Sequence, residues 1–401
     1  MDLIHSLRAR LAAWLVGHAP VREGMPVLFP AFCDQLVRAG LPIWRASLGV
    51  ETLHPEVSGF MLVWRDGRLT REAPPRAGVL TSESYLRSPI RVVDETGQPF
   101  RRCLAQEGAG GFPVLEELVA EGATDYTMLP LPFLDASRTA VISFATKAPG
   151  GFSEEGMRAL DEASRLLSPY AERALLRRIA IDLLAAYLGP AAGRRVYEGR
   201  VERGDVETLK AAIWFCDLRG FTALAEHLPR REVIGLLNRW FDAVGGAVEA
   251  AGGEILKFMG DGFLAVFLVD GEPDSVCDRA LATAEAAVAA SRGLDRELAR
   301  EGRGPLRFGL ALHLGEVEFG NVGTHDRLDF TAIGPAVNHA SRLEALTKEL
   351  RTPVLASAAF AGRVSRPMRR LGRFALRGIA GEVEVYAPLG RRSGGGATGG
   401  P

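Results

Sequence analysis

Residues 209–222 read Leu209-Lys210-Ala211-Ala212-Ile213-Trp214-Phe215-Cys216-Asp217-Leu218-Arg219-Gly220-Phe221-Thr222. Leu209 to Phe215 is an apolar run of strand length, and it leads straight into a carboxylate, Asp217. A helical pattern follows at about 229–251. Gly253 to Phe258 and Phe263 to Val269 then read as two strands flanking a tight Gly260-Asp261-Gly262 turn. An Ala-rich helix is expected over about 274–300, and a further strand over Leu306 to His313. This alternation predicts an α/β (α+β) unit over residues 206–390.

Residues 1–170 predict a separate mixed α/β unit. Arg45 to Val50 and Phe60 to Trp64 are strand-like, separated by a connection around Pro55 to Gly59. Tyr126 to Phe133 and Thr139 to Thr146 flank a turn at Asp135-Ala136-Ser137, which favours antiparallel pairing. Helices are expected at about 26–40 and 154–168, the second opening on an N-cap at Ser153 with Glu154 and Glu155 in the first turn. From Tyr170 to about Ala192, Leu175, Leu176, Ile179, Leu183, Leu184, Tyr187 and Leu188 form one apolar stripe, broken by Gly189-Pro190. Such a helix either packs on its own domain or pairs with its copy and joins two domains, and the sequence leaves both readings open. The resulting division is a unit at 1–170, a linker or signalling helix at 171–205, the unit at 206–390 and a disordered Gly-rich tail at 391–401.

Composition narrows the function. The 401 residues suit two or three domains. Lys plus Arg total 48 against 49 for Asp plus Glu, a net charge of −1, so no global field holds the chain on nucleic acid or an anionic membrane. No apolar run reaches the roughly 18 residues of a membrane span. Leu11 to Val16, behind Arg8 and Arg10, is too short for a secretory signal and reads as part of an amphipathic helix. Four cysteines without a CxxC pair fit a reducing, cytoplasmic setting. Gly108-Ala109-Gly110-Gly111 has no clear helix after it and reads as a surface loop. Trp44 and Trp64 read as core aromatics, Cys216 as core, and His313 as a packed or hydrogen-bonded residue.

Three signals in the second unit carry chemistry. Asp217 stands at a strand end and Asp261 at a hairpin tip, and two carboxylates on neighbouring strand ends can hold Mg²⁺ while leaving room for phosphate oxygens. In Thr331-Ala332-Ile333-Gly334-Pro335-Ala336-Val337-Asn338-His339-Ala340-Ser341-Arg342, Asn338 and Arg342 are four apart and share a helix face. Arg342 can present a planar fork of donors to phosphate.

Together these segments resemble the catalytic domain of the class III nucleotidyl cyclases. The resemblance covers about residues 206–388 and rests on four motifs in the family's order: Phe215 to Thr222, the KxxGDGxLAVF string from Lys257 to Phe267, the HxGxxxxGNVG segment from His313 to Gly323, and the VNxASRLE helix from Val337. It implies a ferredoxin-like, palm-type domain. It also implies a metal site of Asp217, Asp261 and the Leu218 carbonyl for two Mg²⁺ or Mn²⁺ ions, a transition-state pair of Asn338 and Arg342, and purine readers at Lys257 and Thr331. A lysine donor suits an adenine ring nitrogen and a threonine hydroxyl can accept from its amine, as in the bacterial adenylyl-cyclase branch. The implied reaction converts ATP to 3′,5′-cyclic AMP and pyrophosphate in a homodimer whose sites lie between two catalytic domains. A guanylate cyclase and a nucleotide-binding pseudo-cyclase are the alternatives. Glu316 stands where some family members place a phosphate-contacting arginine, and Arg377 is a candidate replacement. The N-terminal unit resembles GAF-like and PAS-like sensory modules in architecture only, and its signal cannot be read.

Overall fold

The computed structural model describes residues 3–18, 24–53, 56–134 and 140–389. The chain divides into two compact units between Ala186 and Tyr187. Among the described residues no helix is long and apolar enough to cross a membrane.

In the first unit β1 (Arg45–Glu51), β2 (Gly59–Arg65), β3 (Arg68–Glu72), β4 (Phe100–Arg102), β5 (Asp125–Pro130) and β6 (Ala140–Thr146) form an antiparallel sheet ordered β3-β2-β1-β6-β5-β4. The period-2 alternation of its strands divides the apolar side chains between two layers. Ala46, Leu48, Ile142 and Phe144 pack with α1 (Leu3–His18), α2 (Met25–Arg38) and α7 (Glu154–Leu188). Tyr126, Met128, Val141 and Ala145 lie in a second cluster with residues of α4 (Pro89–Thr96), α5 (Leu104–Glu107) and α6 (Pro113–Ala120); α3 (Glu83–Leu86) is a single turn. Leu7, Leu11 and Leu15 of α1 recur every four residues and are buried. Trp64 is buried too, whereas Trp44 is partly exposed between Lys147 Nζ at 3.8 Å and the Arg65 guanidinium at 4.8 Å.

Some expectations for this unit change. The loop at Gly108–Gly111 is followed by a helix after all, α6, which opens on Pro113. Arg102 Nε donates to the Gly108 carbonyl at 2.8 Å, fastening the loop to β4. The helices expected at 154–168 and 170–192 are one helix of 35 residues, because Pro169 removes only its own N–H and the apolar stripe continues past it. Ser153 caps its start, accepting from the Gly156 N–H at 3.0 Å, and Gly189, at φ 89°, ends it. The Asp135–Ser137 turn and the 391–401 tail lie outside the described residues.

In the second unit, α8 (Pro190–Tyr197) precedes β7 (Val206–Leu218), α9 (Phe221–His227), α10 (Arg230–Ala250), β8 (Glu254–Met259), β9 (Gly262–Leu268), α11 (Pro273–Arg300) and β10 (Phe308–Gly323). Then come β11 (Leu328–Ile333), α12 (Pro335–Glu349), β12 (Val354–Ser357), α13 (Ala358–Ala361), β13 (Met368–Ala375) and β14 (Glu382–Pro388). The sheet runs β13-β14-β12-β10-β7-β9-β8, with β11 paired to the far end of β10. Its inner order β10-β7-β9-β8, with helices between β7 and β8 and between β9 and β10, is the ferredoxin-like βαββαβ arrangement.

One face of this sheet is closed by α10 and α11. Apolar positions of α10 such as Leu236, Trp240, Val244 and Val248 recur every four residues and share a core with Trp214, Phe263, Phe267 and Phe308. Trp240 is fully buried within 6 Å of the Phe263 and Phe308 rings, and truncating it to Ala would cost about 3–5 kcal/mol. The opposite face is covered in part by α12, whose Ala336 and Ala340 pack with Ile213, Val266 and Phe319.

Candidate active site

Alternation along β7 decides where Asp217 points. Ala212, Trp214, Cys216 and Leu218 join the α10–α11 core, so Asp217 turns to the face that carries α12. Asp217 pairs with Gly262 on β9 and Gly309 on β10. The β8–β9 hairpin turns on Gly260 and Asp261, and the Asp261 carbonyl accepts the Leu218 N–H at 3.1 Å. Thus the two motifs, more than forty residues apart in sequence, meet at one corner of the sheet. A Cβ on Gly262 would lie 2.5 Å from Asp217 Oδ1 and would collide with the Cys216 carbonyl, so the glycine makes room for the carboxylate.

Burial raises the Asp217 carboxyl to about 6, and the charge of Asp261 adds to that shift. Both effects are relieved by a cation. No group of three or more His, Cys, Asp or Glu side chains among the described residues could hold a metal. What this corner offers is two carboxylates and the Leu218 carbonyl, an open donor set that fits Mg²⁺ sharing its shell with water and phosphate oxygens.

A third carboxylate stands behind this pair. Burial raises Glu344 of α12 to about 7, with Asp217 the next cause. A Cβ on Gly309 would run into Glu344 Oε1 and Thr347 Oγ1 and come to 3.1 Å from Arg219 Nη2, so these groups converge beside the residue paired with Asp217. Arg219 Nε and Nη2 are buried without hydrogen-bond partners among the described residues. The sequence reading did not single out Glu344. It closes the VNxASRLE motif, and it is a charge within the inward stripe of α12, four residues after Ala340 and three before Thr347.

Asn338 and Arg342 lie on the exposed side of α12. At 3.6 residues per turn, Arg342 sits about 160° and Asn338 about 120° around the helix from Glu344. The structure therefore does not bring them to the carboxylate corner of their own chain. Thr331 on β11 is 7% exposed. Lys257 on β8 pairs ionically with Asp329, two residues before Thr331 on the same strand.

Lys257 reaches β11 because β8 is bulged between Ile255 and Lys257. Ile255 approaches Gly245 of α10, and Phe258 packs at a tilt against Phe241 of α10 with ring centroids 4.6 Å apart. Leu256 and Met259 belong to the opposite core. The bulge puts Leu256 and Lys257 consecutively on that opposite face, where regular alternation would send Lys257 toward α10.

His313 is 9% exposed, bonds through Nδ1 to Ser357 Oγ at 2.8 Å and stacks on His339 with centroids 4.3 Å apart. Burial, and secondarily His339, pushes its pKa down to about 4, so it is a neutral, packed ring at neutral pH. Glu316 lines a pocket with His313, Glu318, Pro335 and His339, an acidic lining where an arginine would favour phosphate. Arg377 is exposed beyond the end of β13.

Residues 206–388 match the family described as the adenylate and guanylate cyclase catalytic domain. The chain is 34% identical over 185 residues to an adenylate cyclase of Anabaena cylindrica, an alignment covering 46% of this chain and 36% of that protein. It is 30% identical over 178 residues to adenylate cyclase 1 of Rhizobium meliloti, covering 44% and 27% respectively. It thus spans about a third of the length of the curated relatives it matches. Among solved structures it is similar to the adenylyl cyclase CyaB from P. aeruginosa, at 27% identity and a TM-score of 0.43, covering 48% of this chain and 100% of that one.

Proposed function

Because residues 206–388 form a class III nucleotidyl cyclase catalytic domain, we propose that the chain is an adenylate cyclase acting as a homodimer under the control of its N-terminal unit. The observation that carries this reading is the convergence of Asp217 and Asp261 at one sheet corner, where burial and the neighbouring Asp261 charge raise Asp217 to about 6. In the proposed reaction the 3′-oxygen of ATP attacks the α-phosphorus, the bond to the β-phosphate oxygen breaks, the 3′-hydroxyl proton is released, and cyclic AMP and pyrophosphate leave. Two Mg²⁺ or Mn²⁺ ions held by Asp217, Asp261 and the Leu218 carbonyl would supply charge neutralisation on the attacking and leaving oxygens.

Lys257 and Thr331 would read the purine. Adenine offers a ring-nitrogen acceptor beside an amine donor, which a lysine donor and a hydroxyl acceptor complement; guanine presents the reverse pattern. The adenylate cyclases among its relatives support the same choice. Asn338 would orient the ribose and Arg342 would meet charge developing on the α-phosphate. Their exposed position, facing away from their own chain's carboxylates, supports a site completed by a second copy. Exposed Val206, Val322 and Ile333 on β7, β10 and β11 add apolar surface for such an association.

For residues 1–170 the antiparallel sheet with helices on both faces supports a GAF-like or PAS-like regulatory role, with 171–205 as the connection. The test is turnover of the purified full-length chain with ATP or GTP and Mg²⁺ or Mn²⁺, identifying the cyclic product by mass. Cyclic AMP from ATP, abolished in Asp217→Ala and Asp261→Ala, is the expected result. Cyclic GMP as the main product would replace the adenylate reading. Retained turnover in either variant would remove the metal assignment.

A further inference from the structure

We propose that His313 and His339 are positioning residues of the cyclisation, setting the rotation of α12 and thereby aiming Asn338 and Arg342 at the nucleotide. This inference rests on the reading of Asn338 and Arg342 as the groups that meet the transition state.

The seat of α12 is built on β10. His313 and Gly315 are two apart on that strand and share the face that carries α12, whereas Leu312 and Leu314 join the α10–α11 core. Gly315 leaves room for the first turn of the helix, since a Cβ there would lie 2.5 Å from the Ala336 Cβ. His313 meets the next turn. Its ring stacks on His339 with centroids 4.3 Å apart and planes 9° from parallel. His313 is itself held from another side: Nδ1 lies 2.8 Å from Ser357 Oγ, and that oxygen accepts the Phe360 N–H at 3.3 Å as the cap of α13. Strand, serine and cap thus fix the imidazole plane on which α12 rests.

Rotation is what the stack controls. Along the first two turns of α12 the buried side chains are Ala336 and Ala340, whose methyl groups let the helix close on the sheet but resist turning little. Around the axis Arg342 lies about 60° and Asn338 about 100° from His339, both in the same direction. The imidazole therefore stands at the edge of the buried stripe, on the side from which the exposed pair projects. Arginine reaches far from the helix axis, so a small roll of α12 swings its guanidinium off target. A misplacement of about 1 Å can cost about a hundredfold in rate. The stack acts through ring faces. His339 Nε2 is buried with no hydrogen-bond partner among the described residues. Burial lowers the pKa of both rings, with His339 adding to the effect on His313, so the stacked rings are uncharged. A flat, uncharged side chain is what position 339 requires.

The experiment compares the full-length wild type with His339→Phe, His339→Leu, His313→Asn, Arg342→Ala, and His339→Leu combined with Arg342→Ala. It measures kcat and KM for ATP with Mg²⁺ or Mn²⁺, and the folded fraction by circular dichroism. His339→Leu keeps bulk but loses the flat face, and His313→Asn keeps a polar atom for Ser357 but loses the ring. Both are expected to lower kcat about thirtyfold with KM changed less than about threefold, because Asn338 and Arg342 act on the transition state. His339→Phe keeps a flat face, gives up no hydrogen bond at Nε2, and should recover most of that kcat. The double variant should lose far less than the product of the two single losses, since a misaimed arginine and an absent one are largely the same lesion. A merely structural stack gives equal losses in the Leu and Phe variants, tracking the folded fraction, and losses that multiply in the double variant. That pattern, or full activity in His339→Leu, overturns the positioning role while the transition-state pair stands. If Arg342→Ala keeps the wild-type kcat, or the wild type yields no cyclic product, the reading of that pair falls and the positioning role with it.

Discussion

Gly260 and Gly262 flank the same aspartate and are required for different reasons. Gly260 has φ 67° and open space where a Cβ would go, so its demand is conformational. Gly262 lies outside the left-handed region, but its Cβ would strike Asp217 Oδ1 and the Cys216 carbonyl. Gly260→Ala should therefore cost about 1–2 kcal/mol in urea unfolding and leave turnover within a fewfold of wild type. Gly262→Ala should displace Asp217 and lower turnover at least about a hundredfold, even where far-UV circular dichroism shows a folded chain. Equal turnover losses in the two variants would count against the packing role of Gly262. At this scale the sequence shows the residue types and not their company. Asp217 and Asp261 stand out because one ends an apolar run and the other sits between two glycines of a tight turn, both local patterns. Asp329 and Glu344 lack any such pattern, since what marks them is a neighbour distant in sequence, Lys257 on β8 and Asp217 on β7.

Among the elements, β7, α10, β8, β9, α11 and the first half of β10 were legible because each is long or periodic, and the GDG turn fixes the β8–β9 register, whereas the seven-residue α9 and the continuation of β10 to Gly323 were not. The bulge in β8 was not, because nothing in Gly253 to Phe258 marks which residue is extra; the partner strand and α10 decide it. In the first unit β3, β4 and the helices α3 to α6 span three to eight residues, too few to show a period. The joint at Gly189 is likewise a tertiary feature. Glu254 Oε1, at the start of β8, accepts the N–H groups of Ala191 at 3.1 Å and Ala192 at 3.2 Å, capping α8 from outside. Burial raises the Glu254 carboxyl, and those two donors pull it back down. Glu254→Ala should orphan both donors and loosen α8 by about 1 kcal/mol. Hydrogen exchange should then speed up across residues 193–197 while β10 keeps its protection. Unchanged exchange in α8 would show that Leu188, Ala192 and Val196, packed with the β8–β9 core, hold the helix without the cap.

For the whole molecule, the question is how one chain that carries both sets of polar groups uses them. Helix α12 separates them. Its inward side places Glu344 beside the carboxylate corner, and its outward side presents Asn338 and Arg342 about 120° and 160° away. A rigid helix cannot turn both sides to one nucleotide, so the proposed reaction needs the outward side of one copy against the carboxylates of another. A homodimer of this kind holds two equivalent sites, each built from both chains. Two inactive variants then become a quantitative probe. Asp217→Ala spoils the metal half of both sites in its own homodimer, and Arg342→Ala spoils the phosphate half. In a mixed dimer one site collects both lesions and the other collects none. Random exchange of equal amounts makes half of all dimers mixed, so turnover should return to about one quarter of the wild-type rate per chain. A mixture that stays silent, with chain exchange shown by differently tagged copies, would place each complete site within a single chain and require α12 to move.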